Sequence, residues 1–387
     1  MINFLKHLAR ILFGIVFIFS GFTKGIDPWG ATYKFIDYFQ VLNLSFLDNL
    51  AFLLAVLQAF AEFAIGVAFL FNWKMRFFAW PGLFFMMIFT PLTLWIALKN
   101  PVTDCGCFGD ALIISNWATF YKNTALALFG IVVFVNRRWF EKRIKSRYPF
   151  ILSILTFIAY FVFAWYSYNH LPVIDFRPYK IGTNIPEAMS VPPDAEQDVY
   201  KNTFYYKNRK TGKIKKFNED NYPWKDTLNW AYNNAESVLI QKGYEPPIHD
   251  FMIESADGDN VLDYFINSEN NDYLFILVAY DLYKSSTKTQ SKINTLANWS
   301  IHQDISFICL TSTLSGECTT FAQKNDAPYE FFNCDEITLK TIVRSNPGLV
   351  LIQKGIIKAK WHYNDIPSPE EFWDKYLSTD ENKTSGK

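Results

Sequence analysis

The sequence predicts a membrane all-α helical bundle followed by an α/β domain, on three observations. Up to about residue 170 the chain is apolar and aromatic, and it contains five segments near the ~20 residues that a spanning helix needs. The short loops between these segments alternate in charge. From about residue 171 charges are mixed, and apolar runs of strand length alternate with helical stretches.

The five spans are Leu8 to Gly25, Leu50 to Phe71, Phe77 to Leu98, Trp117 to Val135 and Pro149 to Tyr168. The first could be mistaken for a signal peptide, since Lys6, His7 and Arg10 precede its apolar core, but it lacks the small-residue cleavage pattern and further spans follow. Lys6 and Arg10, then Lys74 and Arg76, then Arg137, Arg138, Lys142, Arg143, Lys145 and Arg147 put the N-terminus and two loops on the cytoplasmic side. The loops 26–49 and 99–116 carry Asp27, Asp37, Asp48, Asp104 and Asp110 against Lys34 and Lys99, and belong outside. The expected location is therefore the cytoplasmic (inner) membrane, with everything after His170 extracytoplasmic or periplasmic. The bilayer is the first partner implied. No basic tract outside the membrane half suggests nucleic acid.

Two of the five cysteines, Cys105 and Cys107, stand one residue apart in "PVTDCGCFGDA". On the outer side disulfides can form and persist. A Cys-X-Cys bridge requires a bent backbone, which Gly106 permits, and the small ring would be readily reduced. Asp104 and Asp110 would raise the thiol pKa values. Two other readings stay open: a structural loop with inert or bridged cysteines, and a two-thiolate metal site completed elsewhere. No histidine lies within ten residues of the pair, and no metal is assigned.

Glu62 lies near the middle of the second span, where a charge costs about 2.5–3.5 kcal/mol on insertion scales. It is either a proton or ligand site or a neutral carboxyl bonded to a neighbouring helix. Lys24, near the outer end of the first span, is expected ~15 Å away in depth and snorkelling to the interface. Gly21 and Gly25 form a small-xxx-small step suited to close helix packing, and Asp27-Pro28 ends that helix.

The stretches "GIVFIFSGFTKGIDP", "AEFAIG", "DCGCFGDA" and "WATFYKNTALAL" resemble the DoxX-like proteins, and more closely the MauE (methylamine-utilisation) branch, over about residues 1–135. The resemblance implies a four-helix bundle over residues 1–136, with residues 137–170 adding a basic cytoplasmic loop and a fifth span. It also implies a role in making or maintaining disulfides of an extracytoplasmic client protein, with sulfur or quinone redox nearby. A quinone or a partner protein could take the electrons.

Residues 171–243 read as a connector. There "YYKNRKTGKIKKF" predicts a hairpin turning at Thr-Gly, and "TLNWAYNNAESVLI" fits either helix or strand. From residue 244, "PPIHDFMIESADGDNV" predicts a hairpin with an Asp-Gly turn, and "YLFILVAYDL" and "ISFICLTST" predict strands covered on both faces. Helices are expected in "TQSKINTLANWSIHQ", "ECTTFAQKN" and "ITLKTIVRS", and a hairpin in "PGLVLIQKGIIKAKWH" at Lys354-Gly355. The order resembles the thioredoxin-like fold in its peroxiredoxin and TlpA-like forms. The resemblance makes Pro347 the cis proline beside a client groove. Where that family has its cysteines this chain has "AYDLYKSSTKT", with Ser285 and Ser286, so ordinary thioredoxin catalysis is in doubt. Cys309 lies inside a predicted buried strand. Cys318 and Cys334 are candidate accessory thiols, either exchanging with the first pair or free or bridged to each other.

The favoured function is thiol–disulfide or related redox support through Cys105 and Cys107, a possible oxidoreductase component. Its rivals are a scaffold that holds a client, with the cysteines as a staple, and small-molecule binding or transport by the bundle around Glu62.

Overall fold

A computed structural model describes residues 1–102, 104–141, 148–241, 243–266 and 272–378. Lys142, Arg143, Lys145 and Arg147 of the basic loop lie outside the described residues. The chain divides into two compact units, Met1–Thr183 with Phe251–Lys387, and Asn184–Asp250.

The first unit opens with α1 (Ile2–Ile26), α2 (Pro28–Val41), α3 (Ala51–Leu70), α4 (Met75–Lys99), α5 (Asn116–Val135), the short α6 (Arg137–Glu141) and α7 (Tyr148–Asn169). Five segments are long and apolar enough to cross a membrane: Ile2–Ile26, Ser45–Leu70, Met75–Lys99, Asn116–Val135 and Tyr148–Asn169. Their outward faces carry exposed Leu53, Phe84, Leu98, Ile158 and Val162, as lipid requires.

Glycine decides how closely α1 and α3 approach. A Cβ at Gly21 would lie 2.5 Å from the Phe63 backbone nitrogen, and one at Gly66 would lie 2.5 Å from that of Ile18. Gly25, the other half of the expected small-residue step, meets a different helix, with the Tyr160 hydroxyl of α7 2.7 Å from where its Cβ would stand. Below this contact Phe13 stacks on Phe17 and Phe69 in the bundle core.

The loop expected after α1 contains a helix. Asp27 terminates α1, and its side chain accepts a hydrogen bond from Gly30 N at 2.8 Å as the N-cap of α2, with Pro28 at the first helical position.

The second unit holds α8 (Ile185–Met189) and an antiparallel sheet of β1 (Val199–Asn208), β2 (Ile214–Phe217) and β3 (Trp230–Gln241) in the order β2-β1-β3. Gly212, at φ +70°, makes the expected hairpin turn, and the segment that fitted helix or strand is β3.

The rest of the first unit is α/β. It contains α9 (Leu262–Ile266), β4 (Leu274–Val278), α10 (Gln290–His302), β5 (Ser306–Thr311), α11 (Ser315–Asn325), β6 (Glu330–Asn333), α12 (Glu336–Ile342), β7 (Gly348–Gln353), β8 (Ile356–His362) and α13 (Pro369–Phe372). The sheet runs β6-β5-β4-β7-β8, with β4, β5 and β6 parallel and β7 and β8 antiparallel. The hairpin expected before it shrinks to one antiparallel bridge, Glu254 to Asn260, around a turn with Gly258 at φ +86°. Phe275, Leu277, Cys309, Leu349 and Leu351 pack against Ile293, Leu296 and Phe372 in one core. At the sheet edge Lys360 Nζ and Arg177 Nε reach the two oxygens of Asp175, at 2.8 and 2.7 Å. His170, at the end of α7, reaches Asp365 at 2.7 Å.

Candidate functional site

The loop between α4 and α5 is held at its base by Asn116 Nδ2, which donates to Asn100 Oδ1 at 3.2 Å and to the Val102 carbonyl at 3.3 Å. Asp104 Oδ1 accepts from Gly106 N at 2.8 Å, and Gly106 takes φ +65°. This turn folds the two cysteines toward each other. Both are half-buried, with Cys105 Sγ and Cys107 Sγ 3.0 Å apart and not bonded to each other. A side chain at Gly106 would be strained by the left-handed backbone and would also meet Lys34 Cγ, 2.9 Å from its Cβ.

Beneath the loop lies a buried polar cluster. Lys24 Nζ donates to Glu62 Oε2 at 2.7 Å, Ser20 Oγ at 2.8 Å and the Cys107 carbonyl at 3.0 Å, which uses all three ammonium protons. Gln58 Nε2 donates to Glu62 Oε1 at 2.7 Å. Ser20 Oγ lies 2.6 Å from Glu62 Oε2 and 2.7 Å from the Cys107 carbonyl. It has one proton, so it bonds to one of these acceptors at a time.

Glu62 therefore has a charged partner, and the expectation that Lys24 is too distant and snorkels to the interface is wrong. Depth counted along each helix separately puts the two far apart. The glycine contacts set Gly21 level with Ala59 and Phe63, so Lys24 starts about one helical turn from Glu62. Its side chain leans back toward the N-terminus of α1, as helical side chains do, and so closes that turn.

The expected influence of the aspartates is also corrected. Lys34 Nζ holds Asp104 at 2.8 Å, and Arg344 Nη2 holds Asp110 at 2.9 Å. Cations absent from the loop's own sequence arrive from the helices instead. The Cys105 hydrogen bond, then Lys122 and Lys24, hold the Cys107 thiol below its ordinary value against the opposing effect of burial. The hydrogen bond with Cys107, reinforced by burial, pushes Cys105 up. Lys122 and Lys24 thus favour Cys107 as the thiolate of the pair and Cys105 as its hydrogen-bond donor.

The pair opens onto an apolar cavity of about 270 Å³ walled by Phe17, Phe35, Phe85, Phe89 and Phe108, with Lys24, Glu62 and Gln58 at its polar end. Among the described residues, no group of three or more His, Cys, Asp or Glu could hold a metal ion.

The other candidates lie in the α/β part. The Asn346-Pro347 bond is cis, Ser286 N donates to the Asn346 carbonyl at 2.9 Å, and Asn346 Nδ2 donates to the Asp281 carbonyl at 2.9 Å. Ser286 and Pro347 are therefore brought together. Cys318 and Cys334 are 5% and 2% exposed, and burial raises both thiols. They take no part in the Cys105–Cys107 cluster.

Sequence reasoning passed over Ser20, Gln58, Lys122 and Arg344. Ser20 with Lys24, and Gln58 with Glu62, are polar i,i+4 pairs inside apolar spans. That spacing puts each pair on one helix face, and it was the available signal.

Residues 2–136 match the family model of the methylamine utilisation protein MauE. Residues 200–242, which cover most of the three-stranded sheet, match a domain of unknown function (DUF8463). No match was found among curated proteins or among solved structures.

Proposed function

We propose that this membrane protein exchanges disulfides with an extracytoplasmic client through Cys105 and Cys107. One observation carries the reading: two unbonded sulfurs 3.0 Å apart, with Cys107 favoured as thiolate. The MauE match and the loop charges support the membrane setting and the outward face.

The Cys107 thiolate attacks one sulfur of a client disulfide, forming a mixed disulfide and expelling a client thiolate. Cys105 then loses its proton and attacks Cys107 Sγ. The products are the Cys105–Cys107 disulfide and a client carrying two thiols. Two electrons have passed from the pair to the client. The reverse sequence, in which a client dithiol reduces the loop disulfide, uses the same atoms and oxidises the client.

Client oxidation consumes the loop disulfide, so it needs an acceptor to restore it. The cavity suits a quinone: its aromatic walls would hold a flat apolar ring, and the second amide proton of Gln58 Nε2 would meet a ring oxygen. A bound quinone would supply a two-electron, two-proton acceptor. Lys24 and Ser20 fix the Cys107 carbonyl and hence the loop, and Glu62 offers a carboxylate at the polar end of the cavity.

Full-length protein in native membranes tests the reading. Cys105→Ser should accumulate client mixed disulfides on Cys107, and Cys107→Ser should not. If alkylation trapping finds the wild-type pair permanently in one state, and Cys105→Ser changes no client disulfide, the exchange reading fails.

A further inference from the structure

Arg344 lies two residues past the end of α12 and two before Asn346, and its side chain is only 7% exposed. Every guanidinium nitrogen is used. Nε reaches Asp27 Oδ2 at 2.8 Å, Nη2 reaches Asp110 Oδ2 at 2.9 Å, and Nη1 donates to the Lys340 carbonyl at 2.5 Å. Burial opposes the Arg344 charge, but Asp27 and Asp110 together hold its pKa above the ordinary value.

The two carboxylates belong to different segments, and both lead to the cysteines. Asp110 stands three residues after Cys107. Asp27 caps α2, and α2 presents Lys34 to Asp104 at 2.8 Å and the Tyr38 hydroxyl to the Cys105 carbonyl at 2.9 Å. One guanidinium thus fixes the C-terminal side of the loop directly and the N-terminal side through α2. A planar fork can span two carboxylates in fixed directions, whereas an ammonium acts as a point charge. Contacts beside it follow the same route. Tyr33 of α2 lies 3.4 Å from the Tyr280 hydroxyl, and Lys340 Nζ sits 4.6 Å above the Tyr33 ring. Tyr280 and Asp281 border the strand-end loop that bonds Asn346.

We infer that Arg344 is a positioning residue through which the α/β part sets the geometry of the Cys105–Cys107 pair. The inference rests on the exchange reading for its purpose, but the coupling itself is measurable without a client. Withdrawing Arg344 from Asp27 and Asp110 would release both sides of the Cys-Gly-Cys turn and let the sulfurs separate. Separated sulfurs close a disulfide less readily, and Cys107 loses the hydrogen bond that favours its thiolate.

The test uses full-length protein with no client, equilibrated in glutathione buffers and analysed by alkylation and mass spectrometry. Arg344→Met should shift the Cys105–Cys107 equilibrium toward the dithiol by about tenfold, and should move the pH profile of Cys107 alkylation upward. Asp110→Asn, which keeps the buried arginine paired with Asp27, should shift both readouts in the same direction by less. Arg344→Lys should restore neither fully. Asp365→Asn, which loosens the separate contact with His170 at the end of α7, should leave both unchanged. If Arg344→Met and Asp110→Asn both leave equilibrium and pH profile at wild-type values, or if Asp365→Asn shifts them equally, Arg344 is only a tether and the inference is overturned. A failed search for client mixed disulfides would sink the exchange reading while leaving these shifts in place.

Discussion

The five cysteines fall into two settings that share a chain and almost nothing else. Cys105 and Cys107 sit on a glycine turn at the mouth of an aromatic cavity, with Lys24 and Lys122 supplying positive charge. Cys309, Cys318 and Cys334 are packed in the α/β part, where burial raises all three thiols. The difference teaches that residue type does not make a reactive thiol. Cations and a partner sulfur stabilise the thiolate in the first setting. In the second the sulfur fills space, as buried free cysteine usually does.

The largest break in that contrast should come from the pair itself. Cys107→Ser should abolish client disulfide exchange, read as client redox state in membranes, while Cys318→Ala leaves it intact. Next comes the buried ion pair. Lys24→Met takes the cation from Glu62 and leaves it only the hydrogen bonds of Gln58 and Ser20, and should cost about 3–5 kcal/mol in detergent unfolding. Adding Glu62→Leu should recover part of that loss. Gly21→Ala forces a Cβ to within 2.5 Å of the α3 backbone, and should cost about 1–3 kcal/mol by the same measurement. Cys309→Ser buries a hydroxyl in the sheet core, and should destabilise by about 1–3 kcal/mol with exchange unchanged. The finest test is the pH dependence of iodoacetamide alkylation, followed site by site. Cys107 is lowered, so its thiolate forms as pH rises through a value below the ordinary thiol range, and its rate should level off early. Cys105 and Cys334 are raised, so their rates should still be climbing at alkaline pH.

What the sequence disclosed follows from how local each signal is. The spans, β4, β5 and the β7–β8 hairpin were legible because burial of a whole element leaves a run or a period in the residues themselves. The short β6 was missed because its four residues pair on one side only, at the sheet edge. The helix α2 is hidden because Asp27-Pro28 reads first as a stop, although Asp before Pro also starts helices. The thiol pair and Glu62 could be named, but not their electrostatics. Lys24 needed the helix register that Gly21 and Gly66 set, and Arg344 lies 317 positions from Asp27.

That separation fixes an order of assembly. Ribosomes deliver the chain from its N-terminus, and segments fold as they emerge. All five spans and both cysteines are complete before Arg344 is made, so the loop carrying the pair begins its life without the arginine that later spans Asp27 and Asp110. During that interval Cys105 and Cys107 answer only to the bundle, through Lys24, Ser20 and Tyr38. The α/β part is a late addition to a thiol site already in place.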